Sequence, residues 1–75
     1  MRKRRGELVA LGKEIRALRI KRGFSQEAFA DEVRLDRSYM GRIERGENNL
    51  TVLTIYRIAR ALGIAPARIF PHKIS

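Results

Sequence analysis

Residues 25–46 read SQEAFADEVRLDRSYMGRIERG, two short amphipathic segments separated by a break that leaves room only for a tight turn. Ser25 is a favoured N-cap for the first segment, with Glu27 and Asp31 available on its outer face. Ala28, Phe29, Ala30 and Val33 are expected on its buried side. Leu35 anchors the break, and Asp36 is placed to cap a second helix from about Arg37 to Arg45. Met40 and Ile43 point inward from that helix, and Gly46 is positioned as the C′ residue that ends it. A pair this short cannot bury its apolar faces alone, so the rest of the chain must supply the walls.

The flanking segments have the helical periodicity for that task. Leu8, Leu11, Ile15 and Leu18 recur at spacings of three and four, predicting a helix from Glu7 to about Arg22, stopped at Gly23. Lys21 and Arg22 fall in its last turn, where the helix dipole favours cations, and Phe24 plugs the following loop into the core. Thr51 caps a fourth helix whose core stripe is Ile55, Ile58, Ala59 and Leu62, ended by Gly63. Ala65-Pro66 opens a short fifth helix, Ile69 and Phe70 close the core, and Pro71 ends the element. No segment alternates with period two. The fold class expected is all-α with five helices. It comprises a basic N-terminal arm over 1–6, a domain over 7–71 and a tail over 72–75.

Composition narrows the partner. Seventy-five residues suffice for one small domain. Seventeen Lys and Arg against eight Asp and Glu give a formal charge of +9, which favours a polyanion. Without cysteine there is no disulfide framework and no thiolate metal site. No apolar run approaches a membrane span, and the first residues lack a signal-peptide core, so a cytoplasmic location is expected. His72 is the only histidine and has no evident acidic partner. With no metal-ligand spacing and no glycine-rich phosphate loop, neither an enzyme nor a cofactor is expected.

The third helix therefore carries the functional argument. Nine residues of helix are roughly 14 Å long, short enough for a major groove about 12 Å wide. With Met40 and Ile43 inward, Arg37, Ser38, Gly41, Arg42 and Arg45 face outward. Arg37 and Ser38 lie at the N-terminal end, the end such helices direct at base edges. Either Arg37 or Arg42 could donate two bonds to guanine O6 and N7. Arg45, in the last turn, complements the dipole. Two readings stand for Gly41: close approach to DNA or a neighbouring helix, or a tolerated surface glycine.

The run SQEAFADEV–RLDRSYMGRIERG–ENNLTVLTIYRIARALGI resembles the Cro/repressor-type (Xre-like) helix-turn-helix family over about Leu11 to Phe70. LDRSYMGRIERG followed by NNLT is also similar to the controller proteins of restriction–modification systems. The resemblance implies a five-helix domain that binds double-stranded DNA as a homodimer on a two-fold related operator. It implies that Gln26 bonds a phosphate and braces the recognition helix. It also implies that Arg37 and Ser38 reach base edges or their phosphates, and that Tyr39 packs on the sugar-phosphate backbone. Arg42 occupies a base-facing position that varies in the family, and Asn48 and Asn49 touch the backbone from the next loop. The resemblance further pairs Glu44 with Arg19 of the first helix, as a structural pair. The duller readings are a solvated helix start for Gln26, half-buried packing for Tyr39 and ordinary turn formation for the two asparagines.

For the arm Arg2-Lys3-Arg4-Arg5, a solvated tail and a groove-following segment are compatible if it orders on binding. Leu53 lies opposite the core stripe of the fourth helix. With Ile64, Ile69 and Phe70 it is expected to form the two-fold contact. An antitoxin or bridging-type protein-interaction module on the same fold is the alternative function. RNA binding is disfavoured because aromatic stacking platforms are absent.

Overall fold

A computed structural model describes residues 2–71, with side chains from residue 6 onward. The side chains of the basic arm, His72 and the 72–75 tail lie outside the described residues. The chain forms α1 (Arg2–Lys21), α2 (Gln26–Val33), α3 (Arg37–Glu44) and α4 (Val52–Leu62), followed by a single 3-10 turn over Pro66–Ile69. Among the described residues there is no strand, and no helix is long and apolar enough to cross a membrane.

Three sequence-predicted caps are in place. Ser25 Oγ accepts from the Ala28 amide at 3.0 Å, Asp36 Oδ2 from Ser38 at 3.0 Å and Thr51 Oγ1 from Thr54 at 3.1 Å. Each satisfies an amide that the first helical turn leaves without an internal partner.

The four helices also end alike. After α3 the Gly46 amide donates to Ile43 and the Glu47 amide to Arg42, the paired bonds of a Schellman motif. The same two bonds close α1 through Gly23 and Phe24, α2 through Arg34 and Leu35, and α4 through Gly63 and Ile64. In α2 the left-handed residue is Arg34, at φ 66°, where a Cβ costs on the order of 1–2 kcal/mol. Arg57 offsets this from α4: its Nη2 donates to the Val33 carbonyl at 2.9 Å and the Arg34 carbonyl at 2.8 Å.

Phe29, Ile15, Met40, Ile58, Leu62 and Ile69 are fully buried, so every element contributes to one core. Phe24 packs beside Phe29 with ring centroids 5.2 Å apart, as its place in the loop predicts. At the C-terminal end of α3 the backbones of α1 and α3 also meet directly. A Cβ on Gly12 would lie 2.5 Å from the carbonyl oxygens of both Ile43 and Glu44. A Cβ on Gly46 would lie 2.5 Å from Val9 Cα. The two glycines let α1 lie directly on the C-terminal end of α3.

Four expectations need correction. The first helix starts at Arg2, not Glu7, so the backbone of 2–6 is helical and not a separate arm; Arg and Lys are good helix formers. Ala28 is exposed: Phe29, Ala30 and Val33 define the buried stripe of α2, and a residue 100° behind Phe29 falls outside it. The fifth helix is a 3-10 turn. Only four residues follow Pro66 before Pro71 forces Phe70 into extended backbone, too few to nucleate an α-helix. Ile69, expected at a two-fold contact, is 0% exposed and belongs wholly to the core.

Candidate nucleic-acid interface

The outer face of α3 and the start of α2 enclose an open, polar concavity of about 330 Å³, lined by Gln26, Arg37, Ser38, Gly41, Arg42 and Arg45. The helical spacing explains the gathering. Arg37, Gly41 and Arg45 follow one another at i+4, and Ser38 and Arg42 form the adjacent row. Opposite them, Met40 and Ile43 fasten α3 to the core. The groups that could touch a ligand are thus carried on a helix held by its other side.

Gly41 is buried although it faces this concavity, because the side chains of Arg45 and Gln26 cover it. A Cβ there would meet Arg45 Nη1 at 3.2 Å and Gln26 Oε1 at 3.6 Å. Both are ends of flexible side chains. The glycine therefore forms the floor of the depression, approached by Gln26 of the neighbouring helix, and is not a surface glycine.

Glu44 faces away from the concavity. Arg19 Nε donates to its Oε2 at 2.7 Å and Arg19 Nη2 to its Oε1 at 3.1 Å, while Gln26 Nε2 donates to Oε1 at 3.0 Å. Arg19 Nη1 also donates to the Phe24 carbonyl at 2.9 Å. Arg19 and Glu44 are each only 7% exposed, so both charges are neutralised and hydrogen-bonded inside. The pair implied by the resemblance is present. Its consequence for the surface is that the one carboxylate of α3 is withdrawn and the guanidinium groups are left outside. Because Glu44 Oε1 accepts from Nε2, Gln26 is held with its amide over Gly41.

The structure brings Gln26, Arg37, Ser38 and Arg42 together. Tyr39 stands behind them, half-buried against the core, with the Arg42 guanidinium carbon 5.9 Å from its ring centroid. This cation–π contact, at an exposed guanidinium, is worth about 0.5–1 kcal/mol and favours Arg42 lying over the ring. Asn48 is half-buried and Asn49 exposed in the loop after α3, outside the concavity. Leu53 is 64% exposed and Ile64 half-buried; Phe70, expected to close the core, is instead 43% exposed, since it lies in extended backbone beyond the turn.

Arg45 is the lining residue whose position sequence reasoning undervalued. Its outward direction is as the sequence predicts, and its i+4 spacing from Gly41 is the signal that places it in the concavity beside its expected role at the helix dipole. Its Nε donates to Glu47 Oε2 at 2.9 Å and its Nη2 to Glu47 Oε1 at 3.3 Å. Hydrogen bonding to Glu47, reinforced by charge attraction, raises the Arg45 pKa above the ordinary arginine value. Of the arginines lining the concavity, Arg45 is the one engaged by a carboxylate among the described residues.

This geometry has counterparts. The helix-turn-helix family model matches residues 15–69. The chain is 35% identical over 63 residues to the control protein C.MunI of a Mycoplasma species, covering 83% of this chain and 85% of that one. It is 41% identical over 56 residues to the control protein C.BamHI of Bacillus amyloliquefaciens, covering 73% and 69%. Among solved structures, it superposes on the restriction-modification controller protein C.AhdI from Aeromonas hydrophila with a TM-score of 0.85 and 43% identity. That match covers 87% of this chain and 98% of that one.

Proposed function

This chain belongs to the helix-turn-helix family, and on that premise we propose that it is a sequence-specific, DNA-binding transcriptional regulator of the restriction–modification controller type. It acts as a homodimer on a two-fold related operator, with α3 in the major groove. The observation that carries this reading is the outer face of α3. Arg37, Ser38, Arg42 and Arg45 share one depression, while Glu44 is locked inside by Arg19.

Roles follow from position. Arg37 and Ser38, at the N-terminal end of α3, address base edges. Arg42, lying over Tyr39, reaches the neighbouring base or its phosphate. Gln26, braced by Glu44, keeps its second amide hydrogen to donate to a phosphate of the DNA backbone at the start of α2. Asn48 and Asn49 contact phosphate from the following loop. The two-fold contact uses the exposed face of α4, where Val52, Leu53 and Tyr56 lie at i, i+1 and i+4, together with Phe70 and the flank of Ile64. Two recognition helices then stand about 34 Å apart, on half-sites one turn of DNA apart.

Selection from a pool of randomised duplexes tests the reading, with enrichment of a two-fold related sequence expected. On the enriched duplex Arg37→Ala costs about 1–3 kcal/mol, with much less lost on random duplex. No enrichment overturns sequence-specific binding. Equal losses on both duplexes reduce Arg37 to a phosphate clamp.

A further inference from the structure

The end of α3 differs from the other three helix ends in one respect. The residue that follows the left-handed position is Phe24 after α1, Leu35 after α2 and Ile64 after α4, and each packs on the core. Apolar packing there is the usual companion of this motif. After α3 the same position holds Glu47, whose amide bonds Arg42 and whose carboxylate turns to Arg45.

The turn that presents Glu47 is clamped. Gly46 sits at φ 78° with its Cα against the Val9 backbone, so the register of Glu47 on α3 is set by the fold. The side chains of Arg45 and Glu47 are 60% and 46% exposed, so the pair meets solvent at the rim of the concavity. The two ends of the guanidinium differ. Nη1 leans over Gly41 into the concavity, whereas Nε and Nη2, one of the two forks by which a guanidinium matches an oxyanion, are both engaged by Glu47.

We propose that Glu47 is a specificity-determining residue that acts through Arg45, occupying one of its two oxyanion-binding edges and offsetting its charge in place of a DNA phosphate, and so weakening register-independent binding. The inference rests on the DNA-binding reading above. Binding to random DNA is carried by phosphate contacts, so engaging one guanidinium lowers it by the scale of a single exposed ion pair. On the operator, base contacts set the register and Arg45 stays clamped to Glu47.

The test measures binding of wild type, Glu47→Gln and Glu47→Ala to the enriched duplex and to random duplex of equal length, across a salt series. Removing the carboxylate raises affinity for random duplex by about two- to five-fold per subunit, the scale of one exposed ion pair. The random-duplex salt slope steepens by about 0.9 per subunit. Operator affinity changes by less than about two-fold, so the ratio of operator to random binding falls. In an Arg45→Ala background, the gain from Glu47→Gln shrinks by the share that Arg45 carries. A gain undiminished there means that Glu47 does not act through Arg45 and overturns the proposal, as does an equal gain on both duplexes. Binding by wild type with no change in either Glu47 variant refutes the role of Glu47 alone. Failure of wild type to bind either duplex removes the DNA-binding reading together with this one.

Discussion

Gly12→Ala places a methyl group where α1 meets the backbone of α3. Its carbon would lie 2.5 Å from two carbonyl oxygens and 2.8 Å from a carbonyl carbon, whereas ordinary contact begins at 3.4 Å. Those atoms belong to Ile43 and Glu44, at the hydrogen-bonded end of a helix, and no side-chain rotation moves them aside. The helices must part by about an ångström, and side chains shared by their interface forfeit a quarter to a half of their contact energy. Overpacking of this kind costs about 1–3 kcal/mol, or more where backbone is involved, against about 1 kcal/mol regained from the helix propensity of alanine. A net loss of about 2–3 kcal/mol is expected from a domain whose total stability is on the order of 4–11 kcal/mol. It appears as a fall in Tm of about 10–20 °C. The control lies in the same helix: a Cβ on Gly6 meets nothing within 4 Å. Gly6→Ala should therefore stabilise by about 0.5–1 kcal/mol. Thermal and urea unfolding followed by circular dichroism read both variants. If Gly12→Ala follows Gly6→Ala upward, α1 does not rest on the α3 backbone and the account of that interface fails.

Glu44→Ala strands the Arg19 guanidinium and should cost about 3–5 kcal/mol in urea unfolding, while a joint Arg19→Met, Glu44→Leu exchange recovers most of it. Loss of under about 1 kcal/mol from the single variant would mean that the pair is solvated. For the proposed homodimer, Leu53→Glu, at a position 64% exposed, should sediment as a monomer with helicity retained and bind the operator far more weakly. A dimer that survives the change excludes Leu53 from the contact.

Order and chemistry of the helices were legible because their signals are local. Ser25, Asp36 and Thr51 cap wherever they precede a helix, since the acceptor and its amide lie two or three residues apart. The inward direction of Met40 and Ile43, and hence the outward direction of Arg37, Ser38 and Arg42, follows from helical periodicity. Tertiary structure decided matters that depend on which surface arrives opposite. Gly12 is a weak spot in a helical pattern until the α3 carbonyls are seen against it. Gly41 becomes the covered floor of a depression only because Gln26 is held over it from α2. Ile69 counts equally as core or interface by hydrophobicity, and the packing of its turn against α1 and α4 consigned it to the core. Arg57 reaches the end of α2 across 24 residues of sequence, where no periodicity connects them. Arg45 and Glu47, two residues apart, were both visible in the chain. Their pairing needed the left-handed turn at Gly46, which α1 holds in place by pressing Val9 against it.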